Sequence, residues 1–123
     1  MYEKKMPLRL DCGLHLFKEL LNGKWKLMLI FYISAGLKRP GELQRKIGTA
    51  DRRVLTNQLN ELVKHGFVDK KVFDTKVPKV EYELTTLGQS LLPIILTIET
   101  WGENNRTVLE KAIQEQVQEQ QDR

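Results

Sequence analysis

The chain has 123 residues, 41% hydrophobic and 29% charged, which is one domain's length with enough apolar material for a single core. Its net charge of +4 excludes an acidic, solvating or intrinsically disordered chain and admits an anionic partner. The apolar run from Leu91 to Leu96 is far short of the roughly 20 residues that span a bilayer. Residues 1–7 lack the apolar stretch of a signal peptide, and a single cysteine makes no internal disulfide. The expected location is the cytoplasm, with no membrane partner.

Residues 1–11 mix charges with Pro7 and show no period, the pattern of a flexible arm. From Gly13 to Leu21, the side chains of Leu14, Leu16, Phe17, Leu20 and Leu21 recur at helical spacing, and Asn22-Gly23 is a natural stop. Trp25 to Ile33 is apolar nearly all round, which predicts a buried central helix ended by Gly36. Pro40 suits the first turn of a helix, and Leu43 and Ile47 follow at i and i+4. Gly48-Thr49-Ala50 breaks that short helix. Asp51 then serves as an N-cap, because its carboxylate accepts the orphan amides of the helix that follows. Leu55, Leu59 and Leu62 mark the inner face of this helix, and His65-Gly66 ends it. At about 100° per residue, Arg53, Thr56, Asn57, Asn60 and Lys64 fall opposite the leucines, with Arg52 at the flank.

Two alternating stretches come next, Phe67 to Asp74 and Val80 to Thr85, joined by a loop from Thr75 to Lys79. Their period is that of a β-hairpin. Thr85 or Thr86 caps a further helix, striped by Leu87, Leu91, Ile94, Ile95, Ile98 and Trp101 and expected to bend at Pro93. After Gly102 a Gln/Glu-rich, helix-prone segment carries Val108, Leu109, Ala112, Ile113 and Val117.

The net charge is unevenly spread: +3 over residues 1–37, +6 over 38–79 and −5 over 80–123. A basic footprint confined to one stretch is what a nucleic-acid contact requires. The element order (helix, helix, short helix, turn, helix, hairpin, helix) is that of a winged helix-turn-helix. The expected fold is therefore mainly α with a small β-hairpin (α+β) and terminal dimerisation helices. The expected divisions are an arm over 1–11, the DNA-binding domain with its dimerisation helix over 12–102, and an amphipathic extension over 103–123.

Within that layout Arg52, Arg53, Thr56, Asn57 and Asn60 offer basic and hydrogen-bonding groups to a major groove. Lys76 and Lys79 at the hairpin reach flanking phosphates or the minor groove. Lys38, Arg39, Arg45 and Lys46 bracket the short helix as backbone clamps. No enzyme is expected. His15 and His65 lie far apart in sequence without neighbours at metal-ligand spacing, and there is no Gly-rich phosphate loop or nucleophile elbow. No metal and no cofactor is implied. The expected function is a sequence-specific regulator on double-stranded DNA. The alternative is a winged-helix module binding an acidic protein or RNA.

Several runs resemble the HxlR-type bacterial transcription regulators, relatives of the MarR group: Gly23-Lys24-Trp25; Arg39 with Glu42-Leu43; Leu55, Leu59 and Leu62; and Gly66-Phe67-Val68. The most specific is Pro78 to Thr85 with Gly88 following, then Trp101-Gly102. The resemblance covers Cys12 to about Gly102, three quarters of the chain. It implies a homodimer on a pseudo-palindromic operator, with wings near DNA and terminal helices at the dimer interface. The chain departs from the family pattern at Pro40-Gly41, where an aromatic and a small polar residue are usual, and at Ala50-Asp51, which replaces an apolar-Ser entry to the recognition helix. Asp51 repels phosphate and so is expected to cap and not to contact DNA.

The apolar positions Leu14, Phe17, Leu91, Ile95, Ile98 and Trp101 are the expected dimer interface. Cys12 opens the first helix, where a helix N-terminus favours thiolate, although Asp11 opposes it. In some members of the resembled family a cysteine at this place senses oxidants or electrophiles, usually followed by proline; here Gly13 follows. Cys12 is thus a candidate redox sensor, its alternative role being a small side chain packed near the dimer interface. A small-molecule effector is the other candidate modulator.

Overall fold

The structure, a computed structural model, describes residues 10–77 and 79–122. The arm expected over residues 1–11 lies outside them apart from Leu10 and Asp11. The chain divides into two compact units, Met1–Gln89 and Ser90–Arg123. The boundary at Gly102 expected from the motifs follows sequence resemblance, whereas this division follows compactness.

In the first unit come α1 (Gly13–Leu21), α2 (Lys26–Ser34), α3 (Pro40–Ile47), α4 (Arg52–Lys64), β1 (Val68–Phe73) and β2 (Lys79–Leu84), closed by α5 (Thr86–Ser90). This is a winged helix-turn-helix, mainly α with one antiparallel hairpin. The helix starts are chemical. The Asp51 carboxylate accepts from the Val54 N–H at 2.9 Å, and Glu42 Oε1 accepts from the Lys38 and Arg39 N–H groups at 3.2 and 3.1 Å. Both satisfy amides that a helix leaves orphaned.

The core is built around α2, whose Leu29, Ile30 and Ile33 are buried with Leu43 of α3, Leu55, Leu59 and Leu62 of α4, and Phe67, Val68 and Tyr82 at the hairpin. Each fully buried leucine contributes roughly 1.5–3 kcal/mol. The leucine spacing on α4 therefore decides which face of the helix turns inward.

The hairpin pairs Val68 with Leu84 at its root and Phe73 with Lys79 at its tip. Lys79 therefore opens β2 and does not lie in the loop. A two-stranded hairpin is marginal alone. Here the Tyr82 N–H donates to the Lys38 carbonyl at 2.8 Å, which ties β2 to the segment between α2 and α3. At the other end the Thr85 hydroxyl donates to the Gly66 carbonyl at 2.6 Å and accepts from the Gly88 N–H at 3.0 Å. Gly88 is where α5 crosses the chain: a Cβ there would lie 2.2 Å from the Phe67 carbonyl oxygen, so only glycine fits.

The second unit holds α6 (Leu92–Asn104) and α7 (Arg106–Gln121). Two expectations are corrected here. The single helix bent at Pro93 is instead two helices parted at Leu91, with Pro93 in the first turn of α6, where its missing N–H costs no hydrogen bond. The helix also runs past Gly102 to Asn104, because a lone glycine weakens a helix without ending it. Around the α6–α7 junction, Arg106 pairs with Glu103 and Glu110, and both carboxylates together hold its guanidinium above the usual arginine range.

Candidate nucleic-acid interface

The face of α4 opposite its three buried leucines carries Arg53, Asn57 and Asn60, all exposed, with Thr56 half-buried at the edge of the strip. The helical period puts these side chains on one outward strip. Arg52 sits at the flank, and its guanidinium donates to Gln44 Oε1 of α3 at 3.3 Å. It also lies close enough to Tyr82 to oppose the upward pull that burial exerts on that phenol's pKa. Arg52 is therefore committed partly to the α3–α4 contact.

Beside that strip, a cleft of about 530 Å³ brings together Arg39, Arg45, Arg52 and Lys79, lined further by Pro40, Gly41, Glu42, Val77 and Val80. Four of the sequence-predicted bases thus converge from the N-terminus of α3, its last turn, the N-terminus of α4 and the wing. Among the described residues Glu42 is the single acid on the lining, and two backbone amides already occupy it. Arg39 is part-neutralised, its Nε lying 3.8 Å from Glu81 Oε2 on β2.

The remaining bases are dispersed. Lys46 is exposed, with its ammonium 5.8 Å from the centre of the Tyr32 ring, a cation–π placement. Lys76 is exposed on the wing turn. Further down the hairpin Lys71 pairs with Glu83 at 2.9 Å, which raises the lysine's pKa and lowers the glutamate's. Lys71 is accordingly a structural base of the hairpin.

The residues expected to face a second copy separate into two groups. Leu14 on α1 is 78% exposed and Phe17 half-buried; on α6, Ile98 and Trp101 are exposed. Leu91 and Ile95, also expected at the interface, are buried within the single chain. They share an i,i+4 face, while Ile94, Ile98 and Trp101 share the other. Cys12 is exposed at the N-cap of α1 and not packed within the chain. His15 Nδ1 accepts from the Asp11 N–H at 3.2 Å. Among the described residues, no group of three or more His, Cys, Asp or Glu is placed to hold a metal, and no helix is long and apolar enough to cross a membrane.

Sequence reasoning missed the groups behind the strip. Lys26, read as part of an apolar helix, is buried and pairs with Glu61 of α4. Gln58 of α4 accepts from the Trp25 N–H at 2.8 Å. The only sequence signal for either was a lysine inside an otherwise apolar run.

Residues 20–110 match the model of the HxlR-like helix-turn-helix family. The chain is 41% identical over 112 residues to the HTH-type transcriptional regulator YybR of Bacillus subtilis, covering 89% of this chain and 90% of that one. The reduced form of the redox regulator HypR has a similar structure, with TM-score 0.75 and 40% identity over 81% of this chain and 99% of that one. A MarR-family regulator from Enterococcus faecalis follows with TM-score 0.68 and 35% identity over 89% and 98% of the two chains. Matched along most of its length by family model, sequence and fold, the chain belongs to the HxlR-like helix-turn-helix family of transcriptional regulators.

Proposed function

We propose that the protein reads a specific duplex sequence, binding as a homodimer to a pseudo-palindromic operator. The observation that carries this reading is the pairing of two surfaces. An outward strip of Arg53, Asn57 and Asn60 on α4 adjoins a cleft with Arg39, Arg45, Arg52 and Lys79. The strip offers the bidentate donors and acceptors that distinguish base edges in a major groove, and the cleft offers the charge that grips phosphate on either side. Lys46 and Lys76 extend the grip along the backbone, and Thr56 adds a hydroxyl at the edge of the strip.

A two-fold operator requires two copies, and the exposed Leu14, Ile98 and Trp101 are surface that a second copy would cover. Two recognition helices would then meet major grooves about 34–36 Å apart. Sedimentation should show a dimer at micromolar concentration, and a monomer there would remove the two-fold reading.

Selection from a randomised duplex pool tests base reading directly. The protein should enrich one motif, and its affinity should fall steeply with salt. Arg53→Ala should cost about 1–3 kcal/mol on the selected motif and relax one base position, whereas Lys79→Ala should weaken all duplexes alike and reduce the salt slope by about 1. Equal affinity for every duplex would instead favour an electrostatic module for acidic protein or RNA.

Of the two candidate modulators, a small effector and Cys12 chemistry, the second is supported by an observation. The thiol is exposed at a helix N-cap, and HypR, a similar structure, is a redox regulator. Diamide should release DNA from the wild type and leave Cys12→Ser bound; equal release from both would end the redox reading.

A further inference from the structure

Lys26 is the buried charge of the described core, 1% exposed at the first residue of α2. Its ammonium donates to the Leu20 carbonyl in the last turn of α1 at 2.9 Å and lies 2.6 Å from Glu61 Oε1 on α4. The adjacent Trp25 N–H donates to Gln58 Oε1, also on α4, at 2.8 Å. Gly23 leaves the room for this arrangement: a Cβ there would stand 2.9 Å from Lys26 Cγ and 3.0 Å from Gln58 Cδ.

These contacts do something the leucines of α4 cannot. Apolar contacts are non-directional and roughly proportional to area, so they specify an inward face and tolerate modest rotation of the helix. Hydrogen bonds weaken steeply when they stretch or bend, and a buried ammonium stripped of its acceptor is costly. Two polar ties at positions 58 and 61, one helical turn apart, therefore pin α4 about its own axis. Asn57 and Asn60 are the immediate sequence neighbours of those ties. With side chains reaching about 5–6 Å from the helix axis, a rotation of about 20° would carry their amides roughly 2 Å. That is more than a base-edge hydrogen bond tolerates.

We infer that Lys26 is a positioning residue for base recognition, setting the rotation of α4 through its tie to Glu61 on the flank of that helix and so the aim of Asn57 and Asn60. The inference rests on the reading that α4 contacts base edges.

The test compares two duplexes of about 30 base pairs, one carrying the motif that the wild type selects and one of random sequence. Lys26→Met keeps the aliphatic stem and removes the ammonium. It should lower the ratio of selected to random affinity about tenfold while random-sequence affinity stays within about twofold. Glu61→Gln retains an acceptor for the ammonium and should keep most of the ratio. Gln58→Met, which removes the neighbouring tie alone, should lower the ratio in the same direction and serves where Lys26→Met does not fold. A merely structural role would lower both affinities by one factor, through the folded fraction. An unchanged ratio in folded Lys26→Met, or in Gln58→Met where Lys26→Met does not fold, with the wild type still enriching its motif, overturns the inference and leaves base reading intact. A wild type that enriches no motif overturns the base reading itself, and the inference with it.

Discussion

Arg39 and Glu81 face each other at 3.8 Å, Nε to Oε2, across the gap between the N-cap of α3 and the middle of β2. The wing thus holds one of the cleft's own bases. With Arg39 half-exposed and Glu81 less so, the pair is water-accessible and worth roughly 0.2–1 kcal/mol. In the proposed complex with DNA its greater effect would be on phosphate, because Glu81 competes for the same guanidinium.

Glu81→Gln should therefore tighten binding to every duplex, selected or random, by about 1.4- to 5-fold at low salt, with the gain fading as ionic strength rises. Titration of a random-sequence duplex at two salt concentrations checks this; weaker binding would mean that Glu81 serves chiefly to orient Arg39.

Asp51 caps α4 through the Val54 N–H. Asp51→Ala should cost about 1 kcal/mol, which lowers the melting temperature by about 4 °C for a chain of this size. Asp51→Asn should cost less because the amide oxygen can accept the same N–H. Melting curves of the two variants distinguish a cap from a DNA contact.

Two glycines should respond oppositely to alanine. At Gly88 the added Cβ meets the Phe67 carbonyl oxygen at 2.2 Å, and the overlap should destabilise by about 3 kcal/mol or more. At Gly102, within α6, a Cβ meets nothing within 4 Å, and removing a helical glycine should stabilise by roughly 0.5–1 kcal/mol. Urea unfolding of Gly88→Ala and Gly102→Ala reads both signs.

The pH dependence of the Lys26–Glu61 pair follows from its sign. The Lys26 hydrogen bond and charge hold the Glu61 carboxyl below its ordinary value of 4.5, against a small opposing effect of desolvation and with help from the nearby His65 and Lys64. A depressed folded pKa stabilises the fold above the unfolded value, and that contribution disappears as pH falls through the folded one. The melting-temperature gap between wild type and Glu61→Gln should be constant from pH 7 to about 5.5 and close as the pH drops below 4.5. Glu61 is 54% exposed, so solvent screening keeps the gap modest.

The legible part of this molecule was the part written in periods and caps. The leucines at 55, 59 and 62 identified α4 and its inner face, Asp51 announced its start, and the alternation around Tyr82 announced the wing. The bases of the cleft were legible singly, as a charged stretch. Their convergence was not, because Arg39, Arg52 and Lys79 meet only through tertiary packing. Lys26 was hidden for a related reason. Its acceptor Glu61 lies on another helix, and a lysine inside the apolar run from Trp25 to Ile33 carries no local sign of that partner. At Pro93 the local rule misplaced the break, since proline is tolerated in a first turn and the chain yields at Leu91 instead.

The bond from Tyr82 to the Lys38 carbonyl closes one side of the two-stranded sheet and leaves β1 (Val68–Phe73) as its open margin. An exposed strand margin is a template on which another chain can add. In β1 the central positions are Lys70 and Lys71, flanked by Val68 and by Val72 and Phe73, both exposed. Those lysines therefore guard the hairpin against zipping onto its copies, Lys71 while also pairing with Glu83 across the hairpin. Neutralising them would turn the wing into an adhesive strip.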